Sequence, residues 1–360
     1  MARILKDMNP TPREIIRRVI EFRDPPRIGL RLLAVGWPND ILVLPSLRLR
    51  HPFFKDPGFW DFGHDPELEA LVPHFHGQVR RDVFGNVWGR LEERTKGECI
   101  RGVIEEGWEA LEGYEVPTYA GDGREAVEAA IADSPDRYRM GMLPGMPFSL
   151  MRVMRGMEGF LMDMLLEEPQ VLALRDRLIP LLLQIVDAYA ALGADGVYVG
   201  EDWGTQTALL VSPDSWRRVF KPAFAAVARR VHDHGMHFLV HSCGFVDEIV
   251  EDWIEVGVDV LQFDQPALVG VETLARKYGG RVTFWCPVDI QHVMPTGDGD
   301  RIETEARRMI HAFGARGGGF IAADYTDWSS IGVEPGWADR ARKIFVEEGN
   351  YPLLTPSGRK

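Results

Sequence analysis

The chain has 360 residues, 45% hydrophobic and 26% charged, values of an ordinary globular protein long enough to bury a large core. Its 54 Asp and Glu against 41 Lys and Arg leave a formal net charge of −13. Such a surface repels phosphate backbones and anionic lipid, which argues against nucleic-acid and membrane-surface functions. Three cysteines, Cys99, Cys243 and Cys286, are too few and the wrong parity for a disulfide scaffold, and they suit a reducing compartment. The N-terminal residues turn polar after Ile4 and Leu5, without the apolar run of a secretion signal. The most apolar stretch, Leu178 to Leu192, is broken by Pro180, Gln184 and Asp187 and cannot span a bilayer. A cytoplasmic protein is expected.

In chain order, the first 110 residues are irregular and rich in Pro and Trp. They are expected to supply an irregular helical cap and the first elements of the fold. From about residue 111 to 345 the pattern becomes regular. Predicted strands at Arg137–Leu143, Gly196–Glu201, His237–His241, Asp259–Phe263, Val282–Trp285 and Gly319–Ala323 alternate with helical patterns. The helices are predicted over Met151–Leu166, Val171–Leu192, Ser212–His234, Val246–Val256, Glu272–Tyr278 and Ile302–Phe313. Ser212 and Pro213 form a capped start for the third, and Gly235 ends it. The last five strand starts recur every ~31 residues, the length of a β–α unit. Leu192–Val199 and Val256–Phe263 repeat one design, in which a Gly closes a helix and an Asp enters the next strand. Gly317-Gly318-Gly319 precedes a strand, the wrong order for a phosphate cradle. The predicted fold is a (β/α)8 TIM barrel in one domain spanning 1–360.

In such barrels chemistry sits at the C-terminal strand ends, and five successive ends here carry reactive residues. They include Glu201-Asp202 with Gln206, His241-Ser242-Cys243, Asp264, Cys286 with Asp289, and Asp324-Tyr325. In an extended segment residues i and i+2 face the same way, so His241 and Cys243 can bind one metal. Cys286 is the expected third ligand, leaving a fourth position open as in catalytic zinc sites. A carboxylate, Glu201 or Asp264, can complete that shell. Free cysteines also commonly pack in cores, so a structural role stays open for each. Glu201 and Asp202 are neighbours and only one of them should reach the mouth. Glu201 is taken as ligand or acid/base, and Asp289, Asp324 and Tyr325 join it as catalytic or positioning candidates, with helix capping as the alternative for the two aspartates. Trp88, Gln206 and Asp264 are the candidate substrate contacts. The methionines between Met140 and Met164 are read as core, or as the wall of a pocket for a flat apolar ligand.

These residues carry a resemblance. Pro12–Ile15, Arg81–Trp88, Arg155–Asp163, Asp202–Gln206 with Ser212-Pro213, His241–Gly244 and Asp289–Gln291 with Met294-Pro295 are similar to segments of the uroporphyrinogen decarboxylase superfamily. The resemblance implies a barrel and one of two chemistries, decarboxylation or corrinoid-linked methyl transfer. True decarboxylases carry a Trp-Met-Arg-Gln-Ala-Gly-Arg segment and a Phe-Ser-Asp element, whereas Asp24–Gly36 here has neither. The methyltransferase branch is closer: its zinc members carry His-x-Cys, matched by His241 and Cys243, and a further Cys on the last strand. Here that strand reads Ile321-Ala-Ala-Asp-Tyr325, with Cys286 one strand earlier. The implied activity is methyl transfer between a small methylated compound, a corrinoid (cobalamin) protein and a thiol or tetrahydrofolate acceptor, assisted by zinc. The implied partners are a small-molecule substrate and the corrinoid protein, and a homodimer is left open. A metal-independent tetrapyrrole decarboxylase and a non-catalytic corrinoid or tetrapyrrole binder are the rival readings.

Overall fold

The computed structural model describes residues 10–353 other than 56, 57 and 59. Eight strands form one parallel sheet: β1 (Gly29–Arg31), β2 (Ile41–Val43), β3 (Tyr138–Met142), β4 (Gly196–Gly200), β5 (His237–His241), β6 (Val260–Gln262), β7 (Thr283–Cys286) and β8 (Phe320–Ala323). Their order around the sheet is β1-β8-β7-β6-β5-β4-β3-β2, so every neighbour from β3 to β8 is consecutive in the chain. The seam between β1 and β2 is closed by backbone bonds, Asp40 N–H to Leu30 O at 2.8 Å and Leu32 N–H to Pro38 O at 3.2 Å. This is the expected (β/α)8 barrel with its helices outside.

Local chemistry explains why the units stack. Asp195, before β4, accepts the Arg139 N–H of β3 at 3.0 Å, and Asp259, before β6, accepts the Phe238 N–H of β5 at 2.7 Å. The repeated Gly-x-Asp design therefore pins the start of a strand to the preceding one. The helix Pro12–Ile20 seals the N-terminal end of the barrel. Its Ile15, Ile16, Val19 and Ile20 pack against the inward side chains Ile41, Tyr138, Met140, Leu239, Val260, Trp285 and Ile321. Gly29 of β1 is required there, because a Cβ would lie 2.7 Å from Ile16 Cδ1 and 2.9 Å from Ile321 Cγ1. Arg13 and Arg17 clamp the plug to Asp195, whose side chain is fully buried.

Three expectations change in detail. The pattern over Met151–Leu166 is two helices, Pro147–Arg155 and Met157–Leu166, parted by Gly156 at φ 76°. The segment after Ser212 is likewise split into Pro213–Val219 and Lys221–Asp233, with Pro222, which has no N–H to give, just past the break. The predicted cap at its start is present, Ser212 Oγ accepting the Ser215 N–H at 3.1 Å. The cap over the barrel is only partly helical: beside Pro66–Leu71 and the turn Trp108–Leu111 it holds an antiparallel sheet of Gln78–Arg81, Val87–Arg90 and Glu98–Arg101. Among the described residues no helix is long and apolar enough to cross a membrane.

Candidate active site at the barrel mouth

The C-terminal strand ends enclose a cavity of ≈ 360 Å³ whose wall includes Arg31 of β1, Tyr198 of β4, His241 of β5, Gln262 of β6 and Trp285 of β7. Register places three of these side chains at one level: His241 pairs with Gln262, and Gln262 with Trp285. Asp264, Asp324 and Tyr325 of the predicted set also line it. A hydrogen-bonded row runs along one side, from Tyr198 OH to Gln262 Oε1 at 3.3 Å and from Gln262 Nε2 to Asp264 Oδ1 at 2.8 Å. Asp324 is braced by Arg342 and accepts the Leu33 N–H at 2.6 Å.

At the end of β5, His241 and Cys243 turn to the same side, as the i, i+2 rule requires, with Cys243 Sγ 3.4 Å from His241 Nε2. Asp202 Oδ1 stands 3.2 Å from the same ring nitrogen and accepts the Cys243 N–H at 2.9 Å. The three donor atoms lie within 4.8 Å of one another, forming a nitrogen, sulfur and oxygen group. The convergence is informative. A Cys–His–Asp proton relay holds the acid and the thiol on opposite ring nitrogens, whereas here both meet Nε2 and Nδ1 has no hydrogen-bond partner. Three donors of these kinds around one point form a candidate metal site, and the two contacts to Nε2 are close to the ~3.3–3.6 Å between ligands of a tetrahedral zinc.

Electrostatics follow from this contact. Burial opposes ionisation of Asp202, but the bond to His241 and the Cys243 N–H hold its carboxyl down at about 2. Burial also opposes a charge on His241, and Tyr198, Asp202 and Cys243 together outweigh it, raising the imidazole well above its ordinary value. The Cys243 thiol is pushed up by burial against the pull of His241. Without metal, these contacts favour the carboxylate at Asp202 and the protonated forms of His241 and Cys243.

Five predicted site residues lie elsewhere. Cys286 is fully buried, on the face of β7 that packs with Phe284 against the helices, while its neighbour Trp285 points into the barrel. Burial pushes the Cys286 thiol far up, so alternation along the strand removes it from the metal group. Glu201, 1% exposed, faces away from the mouth, and its Oε1 accepts the Ser149 N–H at 2.8 Å in the first turn of Pro147–Arg155. Asp202 takes the position expected of it. Asp289 folds its own loop, accepting the Gln291 and His292 N–H groups at 2.7 and 2.9 Å. Gln206 is exposed, with Oε1 3.3 Å from Gln291 Nε2. Trp88 belongs to the cap sheet, where Nε1 donates to Asp82 Oδ2 at 2.7 Å. Tyr198, Gln262 and Trp285 were not among the expected site residues, because strands buried on both faces leave little alternation to mark the side chains that turn inward.

Two variants test this local architecture. Gly244, at φ 84°, lies against the backbone of Gly204, so Gly244→Ala would overlap the Gly204 carbonyl as well as strain its own backbone. A loss of at least ~1–2 kcal/mol of stability is expected, and the displaced Cys243 should weaken metal uptake, read by thermal melts with and without zinc. Burial pushes the Glu201 carboxyl up to about 8 from an ordinary 4.5. The folded state thus holds a proton that the unfolded chain releases, and stability falls as pH rises from 4.5 to 8. Glu201→Gln keeps an acceptor for Ser149. It should be more stable than wild type above pH 8 by up to roughly 4 kcal/mol, with the gap closing towards pH 4.5 in urea titrations.

Fold and mouth together define a barrel enzyme architecture with a polar, metal-competent centre. The uroporphyrinogen decarboxylase (URO-D) family profile matches residues 104–324, more than half of the sequence, and the chain belongs to this family. Among solved structures, a methyltransferase from Methanosarcina mazei is similar at 19% identity, over 77% of this chain and 78% of that one, with a TM-score of 0.56. A sugar phosphate isomerase/epimerase from Parabacteroides distasonis shares 11% identity over 71% of this chain and 83% of that one, with a TM-score of 0.35. At 19% identity the likeness to the methyltransferase concerns the fold. A comparison with curated protein sequences finds no match.

Proposed function

We propose that the protein is a zinc-assisted methyltransferase, moving a methyl group between a small methylated compound, a corrinoid carried by a partner protein, and a thiol or tetrahydrofolate acceptor. The observation that supports this most is that His241 lines the barrel cavity with Cys243 Sγ 3.4 Å from its Nε2. Bound to these residues, zinc would supply Lewis acidity that keeps a thiol ionised or activates a heteroatom. The protein's own part is positioning. Asp264 has one oxygen committed to Gln262 and a second free for a donor on the substrate. Tyr325, its ring 5.7 Å from that of Trp328, walls the cavity after β8.

The decarboxylase reading has less support. A tetrapyrrole with many carboxylates requires clustered cations, and among the described residues the wall offers Arg31 and Lys96 in ≈ 360 Å³. The test is anaerobic incubation of zinc-loaded protein with methylcobalamin and a panel of thiols and tetrahydrofolate. Zinc-dependent loss of the methylcobalamin spectrum, with the methylated acceptor found by mass spectrometry, is expected. Carbon dioxide release from a porphyrinogen by metal-free protein would establish the decarboxylase instead. Cobalamin binding without turnover of any donor would leave a binding protein.

A further inference from the structure

The identity of the third ligand follows from how two mouth loops are joined. The segments after β4 and β5 are laced by backbone: Glu201 N–H to His241 O at 3.0 Å, Gly204 N–H to Cys243 O at 3.2 Å and Phe245 N–H to Thr205 O at 2.7 Å. Ser242 Oγ adds a bond from the Trp203 N–H at 3.0 Å. Asp202 is therefore carried to its place by main chain on both sides, and the Cys243 N–H fixes its Oδ1 at 2.9 Å. That oxygen keeps a second lone pair. The distances of 3.2 and 3.4 Å from His241 Nε2 to Asp202 Oδ1 and Cys243 Sγ are close to the ~3.3–3.6 Å between ligands of a tetrahedral zinc, and all three atoms lie within 4.8 Å of one another. Two other donors near the mouth are committed elsewhere. Cys286 lies behind the sheet, and Asp324 is held by Arg342 and the Leu33 N–H. Among the described residues no other three such donors come together.

We propose that Asp202 is the third protein ligand, so that the metal rests on one oxygen, one nitrogen and a single thiolate, with the fourth position open. This rests on the reading that His241 and Cys243 bind metal, and it specifies what kind of site they complete. An oxygen in place of a second sulfur makes the donor set harder, suited to borderline divalent ions such as zinc or cobalt and less to purely thiophilic ones. Cys286 then has no part in binding.

X-ray absorption at the zinc edge of the full-length, zinc-loaded protein counts the ligands directly. One sulfur at about 2.3 Å with nitrogen and oxygen completing the shell is expected, and two sulfurs would overturn the assignment. Zinc affinity of Asp202→Asn is the second measurement. Asparagine can still accept the Cys243 N–H but gives up the ion pair with His241, so the metal-free variant should fold with a modestly lower melting temperature, while its zinc affinity falls at least tenfold and Asp202→Glu recovers part of the loss. Unchanged affinity in Asp202→Asn would remove Asp202 from the shell while leaving the methyltransferase reading standing. A wild-type protein that takes up no zinc at all would overturn both.

Discussion

Replacing Arg342 by methionine is expected to destabilise the protein by about 3–5 kcal/mol, the cost of leaving one partner of a buried ion pair alone. Arg342 Nε lies 2.9 and 3.1 Å from the two oxygens of Asp324, with side chains only 6% and 3% exposed. Asp324 also accepts the Leu33 N–H at 2.6 Å. The pair thus joins the last helix, Pro335–Glu348, to the end of β8 and to the segment after β1, where the barrel must close. Without the guanidinium, a carboxylate stays buried against one backbone donor. Urea unfolding at neutral pH measures the loss, and Arg342→Met combined with Asp324→Asn should recover part of it. A change below about 1 kcal/mol would mean that solvent reaches the pair and that the seam does not depend on it.

His241→Ala should have the largest effect on metal binding. The imidazole is the common neighbour of Asp202 and Cys243, so its removal takes away one ligand and the contact that orders the other two. Zinc affinity should fall by more than the roughly 100-fold that loss of a supporting group alone costs, measured by competition with a chromophoric chelator. The wild-type protein should show the matching pH dependence. The surroundings of His241 and Cys243 raise the proton affinity of both groups. Both must give up protons to bind metal, so affinity weakens as pH falls and binding releases protons to the buffer.

How far the sequence revealed all this depends on which signal each element left. Strands β3 to β8 stood out because each is bounded by a helix and a turn, and their predicted limits lie within a residue or two of those observed. Strands β1 and β2 span three residues each, too few to show any period, and the strands of the cap sheet are only four residues long, each ending in an arginine. His241 and Cys243 were legible because their spacing alone fixes a shared direction. Glu201 and Cys286 lie away from the mouth group, and the sequence hid this for a different reason in each. Thr283, Phe284, Trp285 and Cys286 are all buried, so no apolar–polar alternation marks which of them turns inward. At β4 the last strand residue is Gly200, and beyond it the chain turns, so counting by twos no longer decides between Glu201 and Asp202.

Metal analysis of protein purified anaerobically, beside Cys243→Ser and Cys286→Ser, tests the central claim most directly. About one zinc per chain is expected in the wild type and in Cys286→Ser, with most of it lost in Cys243→Ser. A wild-type protein that carries no metal and takes none up, or one that keeps its zinc in Cys243→Ser, would contradict the site at the barrel mouth and the methyl-transfer chemistry built on it.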